Sequence, residues 1–204
     1  MAGTPSYSTN FDLTESPVSE GGVWRRANNV WTNVRTANGI AFGTNGVLDT
    51  YDDSYALLSG FGPDQQAQAV VFRSPSLVTT ATTHEIELLL RFSDDGTSAR
   101  GYECLFNYAG GVDIVRWNGL LGNFTPLTIT GGAGGLGRDL VSGDVIKATI
   151  VGNVISTYIN GVLRAQATDS TFATGQPGIG FFTRPLGVAD SANFGMTSYS
   201  ASSN

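Results

Sequence analysis

The chain has 204 residues and only 14% Asp, Glu, Lys and Arg, against roughly a quarter in ordinary globular proteins. Its net charge of −6 and pI of about 4.6 leave no basic stripe to displace counterions from phosphates, which argues against nucleic acid and anionic membranes as partners. A single cysteine, Cys104, excludes an internal disulfide, and no apolar run reaches the roughly 18 residues that would suggest membrane insertion.

In chain order, the opening MAGTPSYSTNFDL has neither the positive nor the apolar region of a classical signal peptide. The expected site of action is therefore the cytoplasm, or the cell exterior or a virion surface reached by lysis. Residues 7–13 read as an edge strand and 15–29 as a polar, turn-rich segment around Trp24. Residues 31–36 and 39–44 read as a hairpin about Ala37-Asn38-Gly39. Runs at 55–59 and 67–73 are split by Gly62-Pro63-Asp64. A long strand at 84–92 turns at Asp94-Asp95-Gly96 into runs at 102–107 and 112–117, joined by Gly110-Gly111, and 124–130 follows.

Residues 144–182 then form a meander punctuated by Gly152-Asn153 and Asn160-Gly161, since Asn-Gly supplies the positive φ angles of a tight hairpin. A strand at 178–183 and a closing strand at 193–200 end the chain. No segment holds a 3.6-residue apolar period over three turns. The expectation is an all-β, antiparallel two-sheet sandwich, with residues 1–204 forming a single domain.

Alternation within strands sorts the faces, because successive side chains point to opposite sides. Ile86, Leu88, Leu90, Phe92, Tyr102, Cys104, Phe106, Ile146, Ala148, Ile150, Ile155, Thr157 and Ile159 fall on one side, the expected core. The opposite side carries Glu85, Glu87, Arg91, Glu103, Trp117, Lys147 and Tyr158. If these strands share one sheet, its outer face combines aromatic rings for the C–H face of a sugar with polar groups for its hydroxyls. The expected ligand-binding set is Trp117, Tyr158, Glu87, Arg91, Glu103 and Lys147. Trp24 and Trp31 are expected to pack beneath the N-terminal segment.

Several segments resemble one family. GDVIKATIVGNVISTYINGV and ATDSTFATGQPGIGFF look like the C-terminal half of concanavalin A-like lectin/glucanase domains, the laminin G-like jelly roll. NFDLTESPVSEGGVW is similar to their first strand and loop, and VADSANFGM to their closing strand. The resemblance implies that jelly roll, in a family of lectins, carbohydrate-binding modules, glycoside hydrolases, polysaccharide lyases and adhesion domains. Its glucanase branch uses Glu-x-Asp-x-Glu, and the corresponding run here, Glu85-Ile86-Glu87-Leu88-Leu89, has leucine at the third acidic position. Its lyase branch uses Gln-x-His, which His84, preceded by Thr83, does not match. The enzyme reading is therefore disfavoured, and no catalytic residue is assigned.

No cofactor is required. Calcium, which the resemblance associates with the fold, is a candidate structural ion, and Asp49, Asp52 and Asp53 make an acidic turn suited to it. Gly132 to Gly137 fits G-x-G-x-x-G but leads into a strand rather than a helix, so it is read as a loop and not a phosphate cradle. The leading expectation is a non-catalytic glycan-binding or surface-adhesion domain whose partner is a polysaccharide or glycoconjugate. The alternative is a virion decoration or fibre protein contacting other virion or surface proteins. The third reading is a glycoside hydrolase or polysaccharide lyase.

Overall fold

The computed structural model describes residues 4–27, 31–44, 53–75, 84–128, 135–183 and 191–204. They form fourteen strands: β1 (Ser6–Thr9), β2 (Thr32–Ala37), β3 (Ile40–Gly43), β4 (Ser54–Leu57), β5 (Gln65–Arg73), β6 (His84–Asp94), β7 (Ala99–Asn107), β8 (Val112–Gly119), β9 (Phe124–Pro126), β10 (Val145–Val151), β11 (Val154–Ile159), β12 (Val162–Thr168), β13 (Gln176–Thr183) and β14 (Phe194–Ser203). Turn chemistry accounts for the hairpins. Asn38 and Gly39 have φ of 54° and 74°, Asn160 and Gly161 of 51° and 78°, the left-handed pairs that two-residue hairpins require. No helix among the described residues is long and apolar enough to cross a membrane.

The strands stack as two layers. The first runs β12-β11-β10-β5-β14-β3, with β1 also on β14; the second runs β4-β13-β6-β7-β8-β9. β2 joins them, antiparallel to β3 and parallel to β4. The inner faces meet in a core that holds Ile86, Leu88, Leu90, Tyr102, Cys104 and Phe106 from the second sheet. Ala67, Ala69, Val71, Ile146, Ile150, Ile155 and Ile159 face them from the first. Cys104 is free and buried, and burial pushes its thiol well above the usual range. The expected strand at 124–130 is shorter: β9 stops at Pro126, which has no N–H to extend a ladder, and 129–130 lie outside the described residues.

The face sorting fails at Arg91 and Phe92, and the cause is a β-bulge. The register of β6 against β7 shifts between Leu90 and Ser93, and Arg91 adopts φ of 46°. The inserted residue reverses the alternation. Phe92 therefore leaves the inter-sheet core and joins a second cluster with Trp31, Tyr55, Leu57, Leu89, Val115 and Trp117 on the outer face of the second sheet. Glycine is required beside the bulge. A Cβ on Gly101 would stand 2.6 Å from Phe92 Cα, and one on Gly175 would stand 2.2 Å from the Arg91 carbonyl.

A buried carboxylate fixes the entry to β10. Asp144 accepts both guanidinium nitrogens of Arg138 at 2.8 and 2.7 Å, the Val141 N–H at 3.0 Å and Asn160 Nδ2 at 2.8 Å. Led by the Arg138 hydrogen bonds, these hold its carboxyl down at about 2, against an ordinary 3.8. A depressed folded value stabilises the fold above the unfolded value and ceases to do so as pH falls through the folded one. Stability should thus drop between about pH 4 and 2, and acid titration of Asp144→Asn by circular dichroism should show a flatter profile there. In the core, Leu88 is fully buried, and Leu88→Ala should cost about 2–5 kcal/mol in denaturant melts, from lost transfer energy plus the cavity left behind.

Candidate functional site

The outer face of the second sheet begins with the odd residues of β6. Ahead of the bulge, Glu85, Glu87 and Leu89 point away from the core, as the pleat dictates. Glu87 pairs across the ladder with Gly180 of β13. A Cβ on Gly180 would lie 2.2 Å from Glu87 Oε2, so the glycine makes room for the carboxylate. On the other flank Leu89 pairs with Glu103 of β7. The sheet thereby brings Glu85, Glu87 and Glu103 together, with one oxygen of each within 4.8 Å of the others.

Two of these carboxylates, Glu85 and Glu103, border a cleft with about 170 Å³ of room, lined also by Asp53, Leu105, Val115, Trp117, Phe124 and Phe182. Phe124 and Phe182 are half-buried and offer ring surface, whereas Trp117 is covered. Trp31 packs on Trp117 with ring centroids 4.5 Å apart, and Phe124 does so from the other side at 5.2 Å. The Trp117 Nε1–H donates to Glu103 Oε2. None of the lining residues among the described residues is basic.

Burial in this acidic setting controls protonation. Desolvation, reinforced by the charge of Glu85, pushes the Glu103 carboxyl up to about 8, although the Trp117 hydrogen bond pulls the other way. Glu87 is fully buried, and neither of its oxygens has a hydrogen-bond partner. Desolvation first, then Glu103, Asp53 and Glu85, raise it well above the usual carboxylate range.

The six residues expected to share one ligand surface do not all meet. Glu87, Glu103 and Trp117 converge. Lys147 and Tyr158 face each other across β10 and β11, with the ammonium 5.9 Å from the ring centroid, but these strands belong to the first sheet, where β10 pairs with β5. Trp117 and Tyr158 therefore form no common platform. Alternation reports the face of a strand but not the sheet it joins.

Arg91 also departs, because the bulge turns it inward. Its guanidinium donates to the carbonyls of Pro63 at 2.7 Å, Phe172 at 3.0 Å and Gly152 at 2.7 Å, and pairs with Asp64 at 3.4 Å. It fastens the two sheets together and does not reach the cleft. Trp24 packs against Tyr7 of β1 and Tyr199 of β14. Trp31 is buried too, but on the Trp117 cluster.

Reading by alternation missed Asp53, Phe124, Phe182 and Trp31, which enter the site from strand ends. Of the acidic turn, Asp49 and Asp52 lie outside the described residues, while Asp53 is buried at the cleft. Of the glycine-rich segment, 132–134 lie outside them, and Leu136 N–H bonds the Gly110 carbonyl at 2.7 Å. No helix opens there: residues 135–144 lead into β10. His84 points inward, stacked on Phe194 with centroids 4.2 Å apart.

No protein-family model matches the chain, and no curated protein sequence does. Solved structures match over nearly its whole length. The carbohydrate-binding module CBM66 from Bacillus subtilis aligns with a TM-score of 0.57 at 15% identity, covering 94% of this chain and 97% of that one. A Bacillus licheniformis beta-glucanase aligns with a TM-score of 0.57 at 14% identity, covering 100% of both chains. The chain has the concanavalin A-like jelly-roll fold. The Emp47p carbohydrate recognition domain shares it, with a TM-score of 0.52, 15% identity, and coverage of 98% and 95%. Among jelly rolls the chemistry resides in the residues of the face and not in the scaffold.

The raised carboxyls make a prediction of definite sign. An acid whose folded pKa is raised binds more protons in the native state, so stability is lost as pH climbs from the ordinary value toward the raised one. In metal-free buffer, thermal stability should fall between about pH 4.5 and 8, the range set by Glu103. Glu87→Gln removes one buried acid from the cluster and should reduce that fall when melting is followed across the same range.

Proposed function

We propose that residues 1–204 act as one glycan-binding domain, whose ligand enters the cleft bordered by Phe124, Phe182, Glu85 and Glu103. The observation that carries this reading is the composition of the cleft: half-buried rings adjoin carboxylates on one face. Rings pack on the C–H face of a pyranose, and carboxylates accept hydrogen bonds from its hydroxyls with geometric selectivity. With about 170 Å³ of room, below the roughly 300–1,000 Å³ of drug-sized sites, the cleft suits a chain end or a single residue of a polysaccharide or glycoconjugate. The fold's use in a carbohydrate-binding module and a carbohydrate recognition domain is consistent with this.

A glycan array followed by calorimetry on its strongest hit tests the reading. Phe124→Ala should weaken binding at least tenfold, about 1.4 kcal/mol, without unfolding the domain. Tyr158→Ala should leave affinity unchanged, because that ring lies on the other sheet. A silent array, or loss of binding in Tyr158→Ala alone, would reject the assignment.

One observation favours a second reading, glycoside cleavage. The acidic position absent at Leu89 is met from the neighbouring strand, where Glu103 pairs directly with it. The oxygens of Glu85 and Glu103 lie within 4.8 Å, close to the roughly 5–5.5 Å between carboxyl groups of retaining glycosidases. New reducing ends released from a bound glycan, and lost in Glu103→Gln, would place this reading first.

A further inference from the structure

Glu87 is 0% exposed, and both its oxygens lack hydrogen-bond partners. An ionised carboxylate in that position is strongly unfavourable unless its charge is compensated. The surrounding acids, Glu85, Glu103 and Asp53, add to the negative field instead of balancing it. None of the described residues that line the cleft is basic.

The geometry suits an external one. Two oxygens bound to the same calcium ion at about 2.4 Å stand at most about 4.8 Å apart. One oxygen each from Glu85, Glu87 and Glu103 meets that limit. Magnesium, at about 2.0–2.1 Å, demands an octahedral shell rich in water, which a cluster of three protein carboxylates suits less well. The Trp117 indole holds one oxygen of Glu103 and leaves the other to the cluster, the kind of outer hydrogen bond that orients a metal ligand. Gly180 leaves room for the Glu87 carboxylate, and half-buried Glu85 borders the cleft through which an ion would enter.

We propose that Glu85, Glu87 and Glu103 bind one divalent cation of the calcium class at the floor of the cleft, with water or ligand oxygens completing its shell from the cleft side. The proposed ligands are not those of the acidic turn at Asp49, Asp52 and Asp53, and the proposal does not rest on the glycan reading.

Terbium, which shares calcium's preference for oxygen, provides the probe, because the Trp117 indole touches a proposed ligand and would sensitise its emission. Metal-free protein titrated with terbium under tryptophan excitation should develop green emission that excess calcium displaces. Glu87→Gln and Glu103→Gln should each weaken terbium binding at least tenfold, and Asp52→Asn should leave it unchanged. Calcium should also raise the melting temperature of the wild-type chain, and do so less in Glu103→Gln, which serves if Glu87→Gln folds poorly. No sensitised emission, or emission equally strong in both glutamine variants, would overturn the proposal. So would loss of the signal in Asp52→Asn alone.

Discussion

The pleat of β6 is the constraint on which both the core and the candidate site depend. Its alternation sends Ile86, Leu88 and Leu90 into the sandwich and Glu85, Glu87 and Leu89 to the outer face. Glu85 and Glu87 are thus held by the burial of their neighbours. Large aliphatic side chains are each worth roughly 1.5–3 kcal/mol when fully buried. Sliding the strand by one residue would exchange the two sets, placing leucines in solvent and glutamates in the core. The same register sets Glu87 over Gly180 and Leu89 against Glu103, so the acidic cluster follows from the packing of the sandwich.

The bulge at Arg91 ends this row and gives the outer face its second character. By reversing the alternation it delivers Phe92 to Trp31, Tyr55 and Trp117, producing a local apolar cluster outside the main core. It also directs the Arg91 guanidinium onto carbonyls from the β4–β5 loop, the β10–β11 turn and the β12–β13 loop. The acidic cluster consequently lies beside apolar rings and has little water to solvate it. Low local dielectric is what raises the Glu87 and Glu103 carboxyls, and it would equally strengthen their hold on a cation or a hydroxyl. Sites that bind or react often carry this kind of local cost, which the rest of the fold tolerates.

Much of this was legible in the sequence, and the failures have definite causes. Asn38-Gly39 and Asn160-Gly161 marked their hairpins because few residue pairs accept two successive positive φ angles. The alternation of β6, β7, β10 and β11 separated core from surface correctly up to Leu90. Beyond it the bulge intervened, and its signature lies partly in Gly101 and Gly175, distant in sequence from Arg91. The misplacement of Lys147 and Tyr158 has another origin: hydrogen-bond partners between strands are long-range choices, and β10 pairs with β5 although β6 to β9 lie between them in the chain. Glu87 and Glu103 were chosen from parity alone. Phe124, Phe182 and Asp53 carry no periodic signal because they sit at strand ends.

What the outer face does turns on the state of one group. A solvated glutamate would make the cluster an ordinary polar surface, whereas a desolvated one must be protonated or paired with a cation. Carbon-13 NMR of the Glu87 side-chain carboxyl separates these cases directly. In calcium-free protein the resonance should keep its protonated position at pH values where ordinary glutamates, near 4.5, have ionised. Calcium added at constant pH should move it to the ionised position. Ordinary titration near 4.5 with no response to calcium would contradict the account.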